Sequence, residues 1–234
     1  ILKIKKQLKI LLIIELKCVP WLLKESGRAN LKINKKNFIY LISPNKIPSN
    51  FYKILNSVLK SGKVSFFQLR LKNYSEKNKI IIGKKIQNIC KKNKVKFIIN
   101  DNPFLALKLG ADGCHLGQKD MDIRTAKKII NKKIIGITCH NSINLAKKAI
   151  KAKASYIALG AFYQSKTKKT KYSVSLKILN KIKKFSKTPI VAIGGINADN
   201  YKNLLLNKAN FLAISGYIWK NKKYKPVQAI KKLK

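Results

Sequence analysis

From residue 37 onward one rhythm repeats, and it limits the fold more than any other feature of the chain. A short apolar, β-branched run is followed by a turn and then by a Lys-rich segment whose apolar residues recur at intervals of three and four. The runs are FIYLIS (38–43), VSFFQLRL (64–71), KFIIN (96–100), GCHLG (113–117), IIGITC (134–139), YIALGA (156–161), IVAIGG (190–195) and FLAISG (211–216). Segments such as SEKNKIIIGKKIQNICKK and NSINLAKKAIKAK read as the intervening amphipathic helices, and KPVQAIKKLK supplies the eighth. Strands alternating with helices imply a parallel sheet, and eight such units predict an α/β fold closed as a (β/α)8 TIM barrel, with a doubly wound open sheet as the competitor. The expected organisation is an N-terminal extension of unassigned role over residues 1–36 and a single barrel domain over 37–234.

A barrel of this kind predicts that chemistry sits where strands end, at the C-terminal mouth. The second strand ends in QLRLK, whose period-2 alternation puts Gln68, Arg70 and Lys72 on one face and Leu69 and Leu71 on the other. An Arg fork beside a Lys point charge suits a phosphate or pyrophosphate, whereas a merely solvated strand is the bland alternative. The third strand ends in Asn100-Asp101 and the fourth runs into His115, Gln118 and Asp120. In a barrel those ends are neighbours, so Asp101 and Asp120 are expected to face a common Mg2+, a hard cation that takes carboxylate and phosphate oxygens. Asp112, in GADG, reads as a turn residue and Asp122 as a helix cap; Asp101 has the same capping alternative.

The fifth strand ends in GITCH, where Thr138 offers a hydroxyl and His140 reads equally as a helix start or a ligand. After the sixth comes GAFYQSKTKKTK, either a solvated loop or a lid whose Ser165, Thr167 and Lys168 close on phosphate. Glycines end the seventh and eighth strands, in AIGGIN and AISGYI, at the position where barrels bring backbone N–H groups to phosphate.

Composition sharpens the reading of the acidic residues. Against 53 Lys and Arg there are 8 Asp and Glu, and four of the five aspartates fall between Asp101 and Asp122. A formal charge of +45 suggests a polyanion partner, but only Arg28, Arg70 and Arg124 carry the guanidinium fork that base and phosphate readers favour. The lysines are spread over nearly every segment, which argues against a nucleic-acid-binding face. Cys18, Cys90, Cys114 and Cys139 show no C-x-x-C spacing, so neither zinc nor a disulfide framework is indicated and a reducing cytoplasm is expected. No uncharged apolar run reaches membrane-spanning length. No sequence feature fixes an oligomeric state.

Taken together, QLRLK, ND, HLGQKD, GITCH, SKTK and AIGGI resemble, in order and spacing, the thiamine phosphate synthase family over about residues 37–219. The resemblance implies a (β/α)8 barrel and a transferase that joins hydroxymethylpyrimidine diphosphate to hydroxyethylthiazole phosphate, releasing pyrophosphate. It implies that Gln68 contacts the pyrimidine, that Arg70, Lys72, Asn100 and Lys168 bind its diphosphate, and that Asp101 and Asp120 hold Mg2+. His115, Gln118 and Thr138 would line the pocket, and Ser165, Thr167, Gly195 and the Ser215–Gly216 backbone would seat the thiazole phosphate. Where the family carries a Pro-Thr pair this chain has Gln164-Ser165, and Gly216 and Thr138 stand where serines are usual. The related thiazole tautomerase shares the fold but needs no pyrophosphate-and-metal constellation. Arg70, Lys72, Asp101 and Asp120 together point to the synthase.

Overall fold

The computed structural model describes residues 38–164 and 174–233. The expected extension, and Ser165, Thr167 and Lys168 of the expected lid, lie outside the described residues.

All eight apolar runs carry a strand: β1 (Ile39–Ile42), β2 (Val64–Leu69), β3 (Lys96–Asn100), β4 (Gly113–Leu116), β5 (Ile134–His140), β6 (Tyr156–Leu159), β7 (Ile190–Ile193) and β8 (Phe211–Ile214). Each pairs in parallel with its sequence neighbour and β8 returns to β1, so the sheet closes and the open-sheet alternative is excluded. Between the strands lie α1 (Phe51–Leu59), α2 (Glu76–Lys92), α3 (Pro103–Lys108), α4 (Ile123–Ile130), α5 (Ile143–Lys151), α6 (Lys177–Phe185) and α7 (Tyr201–Leu206). The one-turn helix α8 (Gly216–Trp219) and then α9 (Pro226–Lys232) follow β8.

The alternation within each strand builds two cores. Tyr40, Phe66, Ile98, Tyr156, Val191 and Phe211 pack against one another inside the ring. Their neighbours Ile39, Leu41, Phe67 and Ile157 face outward, where Leu55 of α1, Ile86 of α2, Ile182 of α6 and Ile230 of α9 cover them. Full burial of one such aliphatic side chain contributes about 1.5–3 kcal/mol, so the outer shell holds the helices in place. The helix starts are set locally: Ser75 accepts from the Asn78 N–H at 3.3 Å to begin α2, and Ser142 accepts from the Leu145 N–H at 3.2 Å to begin α5.

The ring closes at the β1–β8 seam. The Leu212 N–H donates to the Phe38 carbonyl at 2.8 Å, the Trp219 indole N–H to the Ile42 carbonyl at 2.7 Å, and the Ser215 hydroxyl to the Ser43 carbonyl at 3.3 Å. Cys90, Cys114 and Cys139 are buried free thiols. Among the described residues no helix is long and apolar enough to cross a membrane.

Candidate active site

The polar residues expected at the mouth come from the C-terminal ends of adjacent strands. At the end of β2 the predicted alternation holds: Gln68 points into the ring at 3% exposure, while Leu69 and Leu71 pack into the outer core. The Gln68 amide donates to Asn100 Oδ1 at the end of β3 at 2.7 Å. Among the described residues that bond leaves Gln68 Oε1 to accept and the Asn100 amide nitrogen to donate into the mouth.

Asp101 follows directly and adopts φ 65°, a left-handed conformation that turns the chain sharply out of β3. The capping alternative for Asp101 is not the one realised. Asn102 begins α3 instead, accepting from the Leu105 N–H at 2.9 Å, and so Asp101 remains available at the mouth. Its carboxyl is pushed up to about 6, first by burial and then by hydrogen bonding and charge from Asp120, against the opposing pull of Lys72 and Arg70. The two carboxylates therefore face one another across the β3 and β4 ends with Arg70 and Lys72 close by. The Gly117 N–H fixes Asp120 by donating to its Oδ2 at 2.6 Å. Leu71, Lys72, Asn100, Asp101 and Phe104 line a cavity of about 580 Å³ beside the pair.

Among the described residues no group of three or more His, Cys, Asp or Glu side chains gathers in one place. A two-carboxylate donor set suits a hard divalent cation that completes its shell with water and substrate phosphate oxygens better than zinc, whose sites are built mainly on histidine and cysteine. The other two clustered aspartates are elsewhere. Asp112 sits at the strand starts, where its carboxylate accepts from the Phe97 N–H at 2.9 Å and from the Lys96 ammonium at 2.7 Å. Asp122 caps α4, accepting from the Arg124 N–H at 2.8 Å and the Thr125 N–H at 3.1 Å, and these bonds, led by that from the Thr125 hydroxyl, lower its pKa.

His115 points into the ring. Its Nε2 lies 2.8 Å from Thr138 Oγ1 and its Nδ1 lies 3.0 Å from the Tyr156 hydroxyl, which in turn lies 2.7 Å from the Tyr40 hydroxyl. Burial lowers the imidazole to about 4, so the ring is neutral. The Gln118 amide donates to the Thr138 carbonyl, tying the β4 loop to β5. His140 ends β5 at φ 50°, and of its two readings, helix start or ligand, the helix start belongs to Ser142 instead.

Gly195 follows β7 at φ 58°, and a Cβ there would lie 2.2 Å from the Gln164 carbonyl oxygen, so glycine is required. Asn200 braces this turn by donating to the Gly195 carbonyl at 3.0 Å, and the Tyr163 hydroxyl donates to the Asn200 carbonyl at 3.2 Å. Across the mouth Ser215 spends its hydroxyl on the β1–β8 seam, which leaves the backbone of Ser215 and Gly216 as the donor surface there.

The interior tyrosines Tyr40 and Tyr156 were not singled out from sequence. The one signal was Gly136, a glycine inside an apolar β5 run: a Cβ on it would lie 1.9 Å from the Tyr156 ring.

Comparison with known proteins agrees with this layout. Residues 39–218 match the family model described as thiamine monophosphate synthase. A thiamine-phosphate synthase from Pelagibacter ubique (strain HTCC1062) is 70% identical over 204 residues, covering 87% of this chain and 98% of that protein. One from Erythrobacter litoralis (strain HTCC2594) is 38% identical over 196 residues, covering 82% and 92%. Among solved structures, thiamine phosphate pyrophosphorylase from Pyrococcus furiosus superposes with a TM-score of 0.74 at 29% identity, covering 85% of this chain and 94% of that one. With its carboxylate pair and basic face at the mouth of a closed barrel, and with these relatives, the chain belongs to the thiamine monophosphate synthase family.

Proposed function

We propose that this mouth condenses hydroxymethylpyrimidine diphosphate with hydroxyethylthiazole phosphate, to give thiamine phosphate and pyrophosphate, through the residues assembled above. The observation that carries the assignment is the Asp101–Asp120 pair held beside Arg70 and Lys72. A tautomerase of the same fold has no leaving pyrophosphate to hold and no use for that constellation.

Asp101 and Asp120 would hold Mg2+, which when bound supplies charge to the departing pyrophosphate. Arg70, Lys72 and Lys168 would bind the same leaving group, Lys168 lying outside the described residues. The Asn100 amide would donate to the diphosphate, and Gln68 Oε1 would accept from the exocyclic amine of the pyrimidine. Departure of pyrophosphate leaves a stabilised pyrimidine cation, which the thiazole nitrogen captures without a covalent enzyme intermediate. The protein's share is therefore leaving-group stabilisation, alignment of the two rings and exclusion of water. His115, Gln118 and Thr138 would line the pyrimidine pocket. The hydroxyls of Ser165 and Thr167, the Gly195 turn and the Ser215–Gly216 backbone would seat the thiazole phosphate. The reading extends to a cytoplasmic location, which the three buried thiols support.

The decisive experiment supplies purified protein with both precursors and Mg2+ and follows thiamine phosphate and pyrophosphate together. Equimolar appearance of the two is expected. Absence of both with authentic substrates would overturn the assignment.

A further inference from the structure

Four polar side chains form one line through the interior of the barrel: Tyr40 on β1, Tyr156 on β6, His115 on β4 and Thr138 on β5. The line is built into the sheet. His115 is registered beside Gly136, and Gly136 beside Tyr156, so the three stand in one row across β4, β5 and β6. Because position 136 has no side chain, the Tyr156 ring lies across it and stacks on the imidazole, with centroids 5.7 Å apart at an interplanar angle of 15°. Tyr40 and Tyr156 are 2% and 0% exposed, and burial pushes both phenols well above their ordinary range, so both keep their protons.

A chain of hydrogen bonds between groups that each donate and accept can run in either direction, and its ends choose between them. The inner end is sealed. Among the described residues the Tyr40 hydroxyl has one hydrogen-bond partner, Tyr156; Phe66 stacks on its ring, the His115 imidazole, its Nδ1 engaged with Tyr156, meets it edge-on, and Ile42, Ile98 and Phe211 belong to the same cluster. If Thr138 donated to Nε2, then Nδ1–H would donate to Tyr156, Tyr156 would donate to Tyr40, and the Tyr40 O–H would have no acceptor in an apolar core. A buried orphan donor is costly, whereas an oxygen lone pair left unused is tolerated. The opposite direction satisfies every proton but the one at the half-buried open end: Tyr40 donates to Tyr156, Tyr156 to Nδ1, and Nε2–H to Thr138, whose own O–H is left over.

We infer that the Tyr40–Tyr156–His115 line is a positioning device: its sealed end holds His115 as the Nε2–H tautomer and frees the Thr138 hydroxyl proton for an acceptor atom on the substrate. Thr138 is the open end, and its hydroxyl has no other partner among the described residues. A donor aimed from the barrel floor selects a heteroaromatic ring that presents a bare nitrogen, and this last step rests on the pyrimidine pocket proposed above. Tyr156 is the positioning residue, because it alone meets Nδ1. Tyr40 acts one step further back.

The chain has two histidines, so the 15N imidazole spectrum of the substrate-free protein contains two ring systems, and His140→Asn identifies that of His115. The wild type is expected to show Nε2 protonated and Nδ1 bare. Tyr40→Phe should keep that tautomer, since Tyr156 then becomes the sealed end, and Tyr156→Phe should keep it too, because an Nδ1–H would be an orphan donor, while the bare Nδ1 resonance moves downfield on losing its hydrogen-bond donor. A wild-type Nδ1–H tautomer, a tautomer change in Tyr40→Phe, or an Nδ1 resonance unmoved in Tyr156→Phe would each overturn the inference. In turnover assays Tyr156→Phe should raise KM for the pyrimidine diphosphate about tenfold, the scale of one hydrogen bond, with KM for the thiazole phosphate unchanged. Equal change in both KM values would mean that Tyr156 serves packing alone. Should the wild type not turn over these substrates, the tautomer measurement still decides the direction of the line.

Discussion

At the scale of single residues, four aspartates carry the same charge in the same basic chain and do different things because of what each one meets. If Asp101 and Asp120 hold Mg2+ as proposed, Asp101→Asn or Asp120→Asn removes a ligand charge at nearly constant shape and is expected to lower kcat on the order of a hundredfold or more, partly restored by excess Mg2+. Asp112→Asn weakens charge-assisted bonds at the strand starts and should cost about 1–2 kcal/mol of stability with turnover intact. Asp122→Asn should lower the melting temperature slightly and leave the rate alone. Steady-state rates and thermal melts of the four variants separate these roles, and similar rate losses in all four would sink the metal-site assignment. Asp101 also sets a pH dependence. Its folded pKa of about 6 lies above the ordinary carboxylate range, so the folded state binds the proton more tightly than the unfolded state. Without divalent cation, stability should therefore decline as pH rises from about 4 to about 6, and cation affinity should climb over the same interval as the proton is displaced. Melting temperatures with EDTA and with Mg2+ across that range test both signs. Asp101, Asp120 and Arg70 were legible in the sequence because alternation and strand ends are local properties. Tyr40 and Tyr156 were not, since a tyrosine inside an apolar run reads as core and its hydroxyl partner lies 116 residues away.

At the scale of elements, the rhythm of apolar runs located every strand, but the strand ends needed backbone geometry. Residues 190–195 and 211–216 read as continuous runs, yet β7 stops at Ile193 and β8 at Ile214. Gly194, at φ 107°, and Gly195, at φ 58°, leave strand geometry to make the turn that faces the mouth. Gly195→Ala would force a Cβ against the Gln164 carbonyl and displace the loop, so KM for the thiazole phosphate should rise while the pyrimidine KM holds. Competition kinetics with each substrate varied in turn would reveal it. At the start of α3 the sequence offered Asp101 as a possible cap, but the left-handed turn at Asp101 leaves that role to Asn102. Asn102→Ala should cost about 1 kcal/mol of stability and also lower turnover, because the cap holds the corner from which Asp101 projects. Chemical denaturation paired with kcat measures the two effects separately.

For the whole molecule the dominant quantity is the net charge of +45, carried by lysines that recur in nearly every segment of the sequence. Self-repulsion at that density opposes compactness, so added salt should raise the melting temperature. The same field draws doubly phosphorylated substrate toward the mouth, so kcat/KM for the diphosphate should fall with ionic strength while kcat stays level. Stopped-flow and melting series in matched salt read the opposite trends. Removal of residues 1–36 is expected to leave folding and turnover nearly intact, since the family match begins only at residue 39, and loss of soluble protein on truncation would contradict that. The charge also bears on how the chain survives its own synthesis. The β1–β8 seam joins residues as far as 177 positions apart, as in the Trp219–Ile42 bond, so a ribosome must deliver almost the entire polypeptide before the ring can shut. Until then the nascent sheet presents two open edges, IYLI of β1 and, before β8 is delivered, IVAI of β7, apolar segments suited to cross-β association with neighbouring copies. A dense coat of like charges on every unfinished copy holds such neighbours apart, and closure of the ring then removes the edges altogether.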